Sequence, residues 1–144
     1  MVRKAQPRDA AIVADIAGRL WREHPAEDLA NEFEELLSDG NCAVFLYEQA
    51  EKPVGFAQCQ LRRDYVEGTE TSPVGYLEGV FVAEPFRNRG VASSLLSACE
   101  DWARERGCKE FASDCELTNT DSLRFHLLAG FSEVNRIICF VKKL

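Results

Sequence analysis

The sequence predicts an α+β fold, a mixed sheet with helices on its faces. Two apolar strand-like runs, "CAVFLYE" and "VGFAQCQLRR", follow one another closely and predict an antiparallel hairpin. From residue 75 onwards, strand-like and helix-like runs alternate. The unit 75–114 therefore predicts a parallel pair of strands joined by a right-handed crossover.

In the first half, hydrophobic spacing and turn residues define the elements. "MVRKA" predicts a short first strand, and Pro7 with Asp9 opens a helix that ends near Trp21. Apolar residues three and four positions apart predict a second helix in "HPAEDLANEFEELLSDG". The hairpin strands come next, and their turn is expected at Lys52 and Pro53.

The second half begins with a polar loop, "RDYVEGTETSP". The elements expected after it are a strand in "GYLEGVFV", a helix over 90–106, a strand in "KEFASD", a helix in "TNTDSLRFHLLAG" and one or two strands in "FSEVNRIICFVKK". Ligands of such sheets bind in the crevice at the carboxyl ends of the parallel strands.

Length and composition exclude several classes of protein. The 144 residues fit one domain, 1–144, and the net charge of −7 argues against nucleic acid while it suits a cationic ligand. No apolar run reaches the roughly 20 residues of a membrane helix, and no signal peptide is apparent. The six cysteines form no CxxC pair and only two histidines are present, so we expect reduced thiols, no metal and a cytoplasmic protein.

A phosphate cradle is predicted where the strand "GVFV" turns into the next helix. Gly90 permits unusual backbone angles, and the small residues Ala92 and Ser93 leave the first helical turn unobstructed. The first N–H groups of a helix have no partner within the helix, so they can bind a pyrophosphate. Arg87 and Arg89 add positive charge. A plain strand-to-helix turn is the alternative.

These residues resemble the acetyl-CoA loop of the GCN5-related N-acetyltransferases, written [RQ]-x-x-G-x-[GA]. Arg87, Gly90 and Ala92 match it in order, and Asn119 with "AGF" matches a later element of that family. The resemblance implies a mostly antiparallel twisted sheet with one splayed parallel pair and about four helices. It also implies acetyl-CoA as cosubstrate, held by a set of residues along the strand, the loop and the later element: Val80, Phe81, Val82, Arg87, Asn88, Arg89, Gly90, Val91, Ala92, Ser93 and Asn119.

A narrower resemblance lies outside the cofactor signature. "LWREHP", "RRDYVEGTETSPVGYLEGVFV" and "FASDCELTNTDS" look like segments of the smaller, dimeric aminoglycoside 6'-N-acetyltransferases. It implies a homodimer that acts on the 6'-amine of aminoglycoside antibiotics, with Trp21, His24 and Tyr65 against the sugar rings. Asn135 stands where the resemblance implies an acid.

Two carboxylates are candidates for binding and deprotonating an amine. Glu78 lies in the middle of an apolar strand, where an acid is costly to bury unless it is paired or functional, and Asp114 ends the next strand. The alternative is a structural role, in which Glu78 pairs with a nearby Lys or Arg. An amide of the 80–82 segment could stabilise the oxyanion of a direct transfer.

The leaving thiolate of CoA needs a proton donor. Many members of the resembling family have a tyrosine where this chain has His126, which can donate a proton but can equally be a packing residue. Cys115 as a nucleophile is an unfavoured alternative, because no histidine partner is apparent. Other acceptors, namely a polyamine, another small amine or a peptide N-terminus, stay open, as does a non-catalytic acyl-CoA-binding regulator.

Overall fold

The computed structural model describes all residues from 1 to 144. Five strands form one sheet in the order β1-β2-β3-β4-β5, and every neighbouring pair is antiparallel except β4 and β5, which are parallel. The elements are β1 (Val2–Lys4), α1 (Ala10–Ala17), α2 (Ala26–Leu36), β2 (Cys42–Gln49), β3 (Lys52–Arg62), β4 (Val74–Val82), α3 (Val91–Glu105), β5 (Phe111–Ser113) and α4 (Thr120–Leu128), with short 3-10 helices at Pro7–Asp9 and Glu84–Phe86. The predicted fold class and its splayed parallel pair are confirmed.

The hairpin turn lies two residues earlier than expected. Ala50 and Glu51 occupy it with φ of 51° and 62°, and Gln49 pairs with Lys52. Two consecutive positive φ angles define the tight turn that matches the twist of its flanking strands. Pro53 belongs to β3, beside an irregularity of the ladder, where a residue without an N–H is tolerated.

The sheet separates two apolar layers. Alternate residues of β2 and β3 point to opposite faces: Ala43 and Ala57 pack towards α3, whereas Val44 and Phe56 pack towards α1 and α2. Each face of the sheet is therefore covered by helices, as its alternation predicts. None of the four α-helices combines the length and the apolar content of a membrane span.

The parallel pair is short, and its strands soon part. β4 pairs with β5 only from Gly75 to Leu77, opposite Phe111 to Ser113. Because β4 continues to Val82, its edge on the side away from β3 has no strand beside it from residue 78 to residue 82. An opening results at the carboxyl end of β5, where the sequence predicted a crevice.

The expected final strands are absent, and this prediction is wrong. Residues 131–144 form no helix or strand, and most of their apolar side chains are exposed, Phe140 by 91% and Val141 by 95%. The segment leaves the body along the 65–69 loop, where Asn135 donates a hydrogen bond to Glu67 at 2.9 Å. A strand-like run becomes a strand only beside another strand, and this route takes it away from β5.

Candidate active site

The predicted cradle is a turn with exceptional backbone geometry. Asn88 and Gly90 have φ of 60° and 80°, and Gly90 caps the N-terminus of α3. The backbone N–H groups of residues 88 to 93 donate no hydrogen bond to any protein acceptor. Such N–H groups, at the positive end of a helix of 15 residues, are donors suited to a phosphate. The segment predicted to bind the cosubstrate therefore fits a pyrophosphate.

Arg87 ties the cradle to the open edge of β4. Its Nε donates to the carbonyl oxygen of Val82 at 2.7 Å, and its guanidinium lies 5.7 Å from the Phe81 ring centroid. The terminal nitrogens of the guanidinium make no other hydrogen bond and can meet an anion. Arg89 lies beside Phe86, on the same turn. The structure thus brings the predicted strand and loop groups together, with Val80 at the same open edge.

Glu78 sits at a β-bulge. Gln58 pairs with Gly79 and Cys59 pairs with Leu77, so Glu78 has no partner in β3. A bulge re-aims the side chain of the extra residue. Its carboxylate receives two hydrogen bonds from Arg62, from Nη2 at 2.8 Å and from Nε at 3.3 Å, and both reach Oε1. The arginine partner foreseen in the structural alternative therefore exists, but it leaves Oε2 without a protein partner.

Asp114 follows the last residue of β5, as expected, and Tyr76 holds it. The Tyr76 hydroxyl donates a short hydrogen bond to Oδ2 of Asp114, while Oδ1 makes none. Burial and this hydrogen bond raise the pKa of Tyr76 well above its ordinary value, so the phenol stays protonated and continues to donate. The guanidinium of Arg62 lies 3.5 Å above the Tyr76 ring. The two carboxylates are thus connected by one arginine and one tyrosine.

The predicted acceptor residues divide between two cavities. The smaller one, of about 300 Å³, is lined by Trp21, His24 and Glu78. The larger one, of about 1180 Å³, is lined by Tyr65, Asp114, Asn135 and His126 among others. Arg62 and Tyr76 line the larger cavity, and Arg62 contacts the carboxylate of the smaller one.

Trp21 forms the wall of the smaller cavity through close packing on the sheet. Its ring lies 6.4 Å from that of Phe33 and 5.7 Å from that of Phe56. A Cβ on Gly79 would lie 2.7 Å from its Cζ2. The glycine after Glu78 is therefore required for the tryptophan to reach the sheet.

His126 is held by contacts on both ring nitrogens. Nδ1 lies 2.6 Å from the carbonyl oxygen of Ser122, which can only accept, so Nδ1 carries the proton of the neutral ring. Nε2 then accepts from the Ser113 hydroxyl at 2.7 Å. The ring also packs on Phe131, at 5.2 Å between centroids. His126 thus has packing contacts and a polar link to the residue before Asp114.

The remaining predicted residues have local roles in the structure. Asn119 caps α4 by accepting from the Ser122 N–H at 3.1 Å. Cys115 is exposed and hydrogen-bonds to no histidine. No three Cys, His, Asp or Glu side chains converge in a way that could hold a metal ion.

Sequence reasoning missed Arg62, Tyr76 and Ser113. Arg62 is within a quoted motif, and its position in a strand ahead of a polar loop gave no sign of its partner. In the sequence, nothing distinguishes Tyr76 from the other apolar residues of β4. Their roles follow from contacts between residues that are 16, 38 and 13 positions apart, respectively, which periodicity does not reveal.

Comparisons with known proteins agree with this geometry. The model of the acetyltransferase (GNAT) family matches residues 11–131. An aminoglycoside N(6')-acetyltransferase type 1 of Stenotrophomonas maltophilia is 41% identical over 96% of this chain and 90% of its own length. One of Salmonella typhimurium is 40% identical over 87% of this chain and 86% of its own.

Solved structures give the same result. The aminoglycoside acetyltransferase AAC(6')-Iy, in complex with the bisubstrate analogue CoA-S-monomethyl-acetylneamine, superposes with a TM-score of 0.95 at 35% identity, covering 100% of this chain and 98% of the other. The apo aminoglycoside 6'-N-acetyltransferase AAC(6')-IG of Acinetobacter haemolyticus gives 0.93 at 32% identity, over 100% and 99%.

Proposed function

This chain belongs to the acetyltransferase (GNAT) family, and we propose that it is an aminoglycoside 6'-N-acetyltransferase. It uses acetyl-CoA as cosubstrate and transfers the acetyl group directly to the 6'-amine of the antibiotic. The amine nitrogen attacks the thioester carbonyl, the new C–N bond forms, and the C–S bond to CoA breaks. Acetylation removes a positive charge that the drug needs to bind ribosomal RNA, so the activity confers resistance.

The observation that carries the acetyl-CoA assignment is the run of N–H groups from 88 to 93 without protein acceptors. They begin α3, and Arg87 joins them to the free edge of β4. We propose that the pyrophosphate binds these N–H groups and that Val80 to Val82 run beside the pantetheine arm like an added strand.

For the acceptor amine, the support is the pair of carboxylates. An amine that carries a proton near pH 7 must be bound as a cation and deprotonated before it attacks. Glu78 and Asp114 each have one carboxylate oxygen free of protein partners. Each directly follows a residue of the last pair between β4 and β5, Leu77 and Ser113. We propose that they bind the ammonium and that Glu78, directly or through water, accepts its proton.

Further roles concern the residues that line the two cavities and contact the cosubstrate. We propose that Trp21, His24 and Tyr65 contact the sugar rings, since aromatic faces suit sugar C–H groups and ammonium cations. Asn135 lies beside Glu67 and lines the same cavity as Tyr65. Asn119 contacts the cosubstrate, and His126, in the form protonated on both ring nitrogens, returns the Nε2 proton to the CoA thiolate.

The acceptor is tested by CoA release from acetyl-CoA with a panel of amines. The panel holds kanamycin or tobramycin, a 6'-hydroxyl aminoglycoside, spermidine and a generic peptide. We expect turnover of the 6'-amino drugs alone, and a loss of about 100-fold in Glu78→Gln. Glu105→Gln, at the exposed end of α3, is the matched control and keeps full activity. Turnover of spermidine or the peptide alone would reassign the acceptor, and binding of acetyl-CoA without any turnover would favour a regulator.

We also propose that the protein is a homodimer assembled through the segment 136–144. Its exposed apolar side chains include Ile138, Phe140 and Val141, and the outer edge of β5 carries no strand. A second copy of the chain offers the same apolar segment and the same free edge, so each can cover the other. Sedimentation at micromolar concentration should give twice the 16.2 kDa of one chain, and Phe140→Asp should give the single mass. A wild-type protein of single mass would contradict the proposal.

We propose that one acetyltransferase domain spans residues 1–144 and works in the cytoplasm. All six cysteines are free, and three of them are buried, which suits a reducing compartment.

A further inference from the structure

We infer that Arg62 and Tyr76 are positioning residues for acetyl transfer. Together they hold Glu78 and Asp114 by one carboxylate oxygen each, so that the other oxygen of each faces the acceptor amine. The inference rests on the proposed function, and it assigns roles to two side chains that would otherwise belong only to the walls of the site.

Arg62 restrains Glu78 in an unusual way. A guanidinium and a carboxylate commonly form two parallel hydrogen bonds, one to each oxygen. Here both contacts, at 2.8 Å and 3.3 Å, reach Oε1. The pair therefore fixes the rotation of the carboxylate and leaves Oε2 as an acceptor.

Tyr76 does the same for Asp114. Its hydroxyl engages Oδ2 and leaves Oδ1 unpaired. The ring lies under the Arg62 guanidinium at 3.5 Å, and is itself buried against Val66 and Val74. The buried Tyr76 ring both supports the Arg62 guanidinium and carries the hydroxyl that holds Asp114. The positions of the two carboxylates relative to each other are therefore fixed through this one ring.

The charges explain why an arginine lies in a site for a cation. Two carboxylates and one guanidinium leave a net charge of −1, which a single ammonium balances. Without Arg62, the two negative charges would hold the ammonium form more strongly and disfavour loss of its proton. Arg62 therefore weakens binding of the protonated acceptor but favours the neutral amine that reacts.

This balance predicts that kcat falls without a rise in KM for the drug. In Arg62→Gln we expect kcat for a 6'-amino aminoglycoside to fall about tenfold, while KM for the drug does not rise. Arg62→Lys keeps the charge and should recover most of the lost kcat. Tyr76→Phe keeps the ring under Arg62 but loses the donor, so kcat should fall about tenfold with KM for acetyl-CoA unchanged.

Matched controls separate positioning from general damage. The side chain of Arg63, the next residue, hydrogen-bonds only to Asn41, and the hydroxyl of Tyr47 makes no hydrogen bond. Arg63→Gln and Tyr47→Phe should therefore retain wild-type constants. Thermal unfolding of all variants monitors folding, and the single-turnover rate of acetyl transfer shows that the chemical step is the one affected.

The possible results are distinguishable. The inference is overturned if the wild type acetylates the drug and Arg62→Gln or Tyr76→Phe loses no more kcat than its control. It is also overturned if Arg62→Gln raises KM for the drug at unchanged kcat, or if Arg62→Lys is no better than Arg62→Gln. A wild type that acetylates no 6'-amino drug overturns the proposed function, and this inference with it.

Discussion

Replacing Gly90 by alanine tests the phosphate cradle against a control in the same helix. Gly90 precedes α3 with φ of 80°, and Gly107 follows it with φ of 82°. A Cβ added at either position would meet no other atom within 4 Å. The two substitutions therefore impose the same backbone strain in equally open surroundings, and they differ in lying at opposite ends of the helix.

The cost to stability can be worked out from these angles. The left-handed region disfavours an alanine by roughly 1–2 kcal/mol. Loss of glycine's freedom in the unfolded chain offsets about 0.4–1 kcal/mol of this. Both variants should therefore lose about 1 kcal/mol of the free energy of unfolding, which corresponds to a Tm lower by about 3 °C for a chain of this size.

The KM for acetyl-CoA should distinguish the Gly90→Ala variant from the Gly107→Ala variant. A methyl group at Gly90 stands among the free N–H groups of residues 88 to 93, and a charge-assisted hydrogen bond is worth roughly 1.5–3 kcal/mol. Steady-state kinetics should show KM for acetyl-CoA raised at least about tenfold in Gly90→Ala and unchanged in Gly107→Ala. Equal KM values in the two variants, with equal Tm, would refute the assignment of the cradle.

Two further substitutions test the wall of the acceptor cavity and the stability of the fold at low pH. Gly79→Ala puts a Cβ 2.7 Å from Trp21, so KM for the aminoglycoside should rise several-fold while KM for acetyl-CoA stays unchanged. In the control Gly40→Ala, where the added Cβ has no neighbour within 4 Å, neither KM should change. The hydrogen bond from Arg3 lowers the pKa of the buried Asp9 in the folded protein below its ordinary value of 3.8. The ion pair therefore stabilises the fold fully above the ordinary pKa, and this stabilisation is lost as pH falls through the lowered pKa of the folded state. Urea unfolding should show Asp9→Asn less stable by about 2 kcal/mol at pH 7 and the gap narrowing below about pH 4, whereas a constant gap would contradict the ion-pair argument.

Local chemistry made much of the fold and of the cradle predictable. The strands β2 to β4 alternate between two apolar layers, a pattern that depends only on the two-residue period of a strand. Gly90 was predictable because the sharp turn that leads into the helix needs a residue tolerant of positive φ. Asp114 was expected at the carboxyl end of a strand because it is the last residue of the strand-like run "KEFASD".

The errors arise where a distant neighbour decides the outcome. The run 131–143 has the composition of strands, but strand formation needs a partner edge, and Val134 packs against Gly68 instead. Arg62 and Tyr76 could not be assigned to Glu78 and Asp114 from spacing, because side chains of different strands and loops meet only in the folded sheet.

One local event in the sheet connects the two halves of the proposed reaction. β4 and β5 pair up to Leu77 and Ser113, and the next residue of each strand is a candidate carboxylate. At Glu78 the extra residue of the bulge also interrupts the ladder with β3, so β4 changes course where it leaves β5. The same parting that frees the β4 edge for the cosubstrate therefore brings both acids to the start of the opening. On this proposal, deleting Gly79 removes the bulge and places Glu78 regularly opposite Gln58, so that its carboxylate is no longer re-aimed and β4 loses its bend; amine binding and acetyl-CoA binding should therefore weaken together rather than separately.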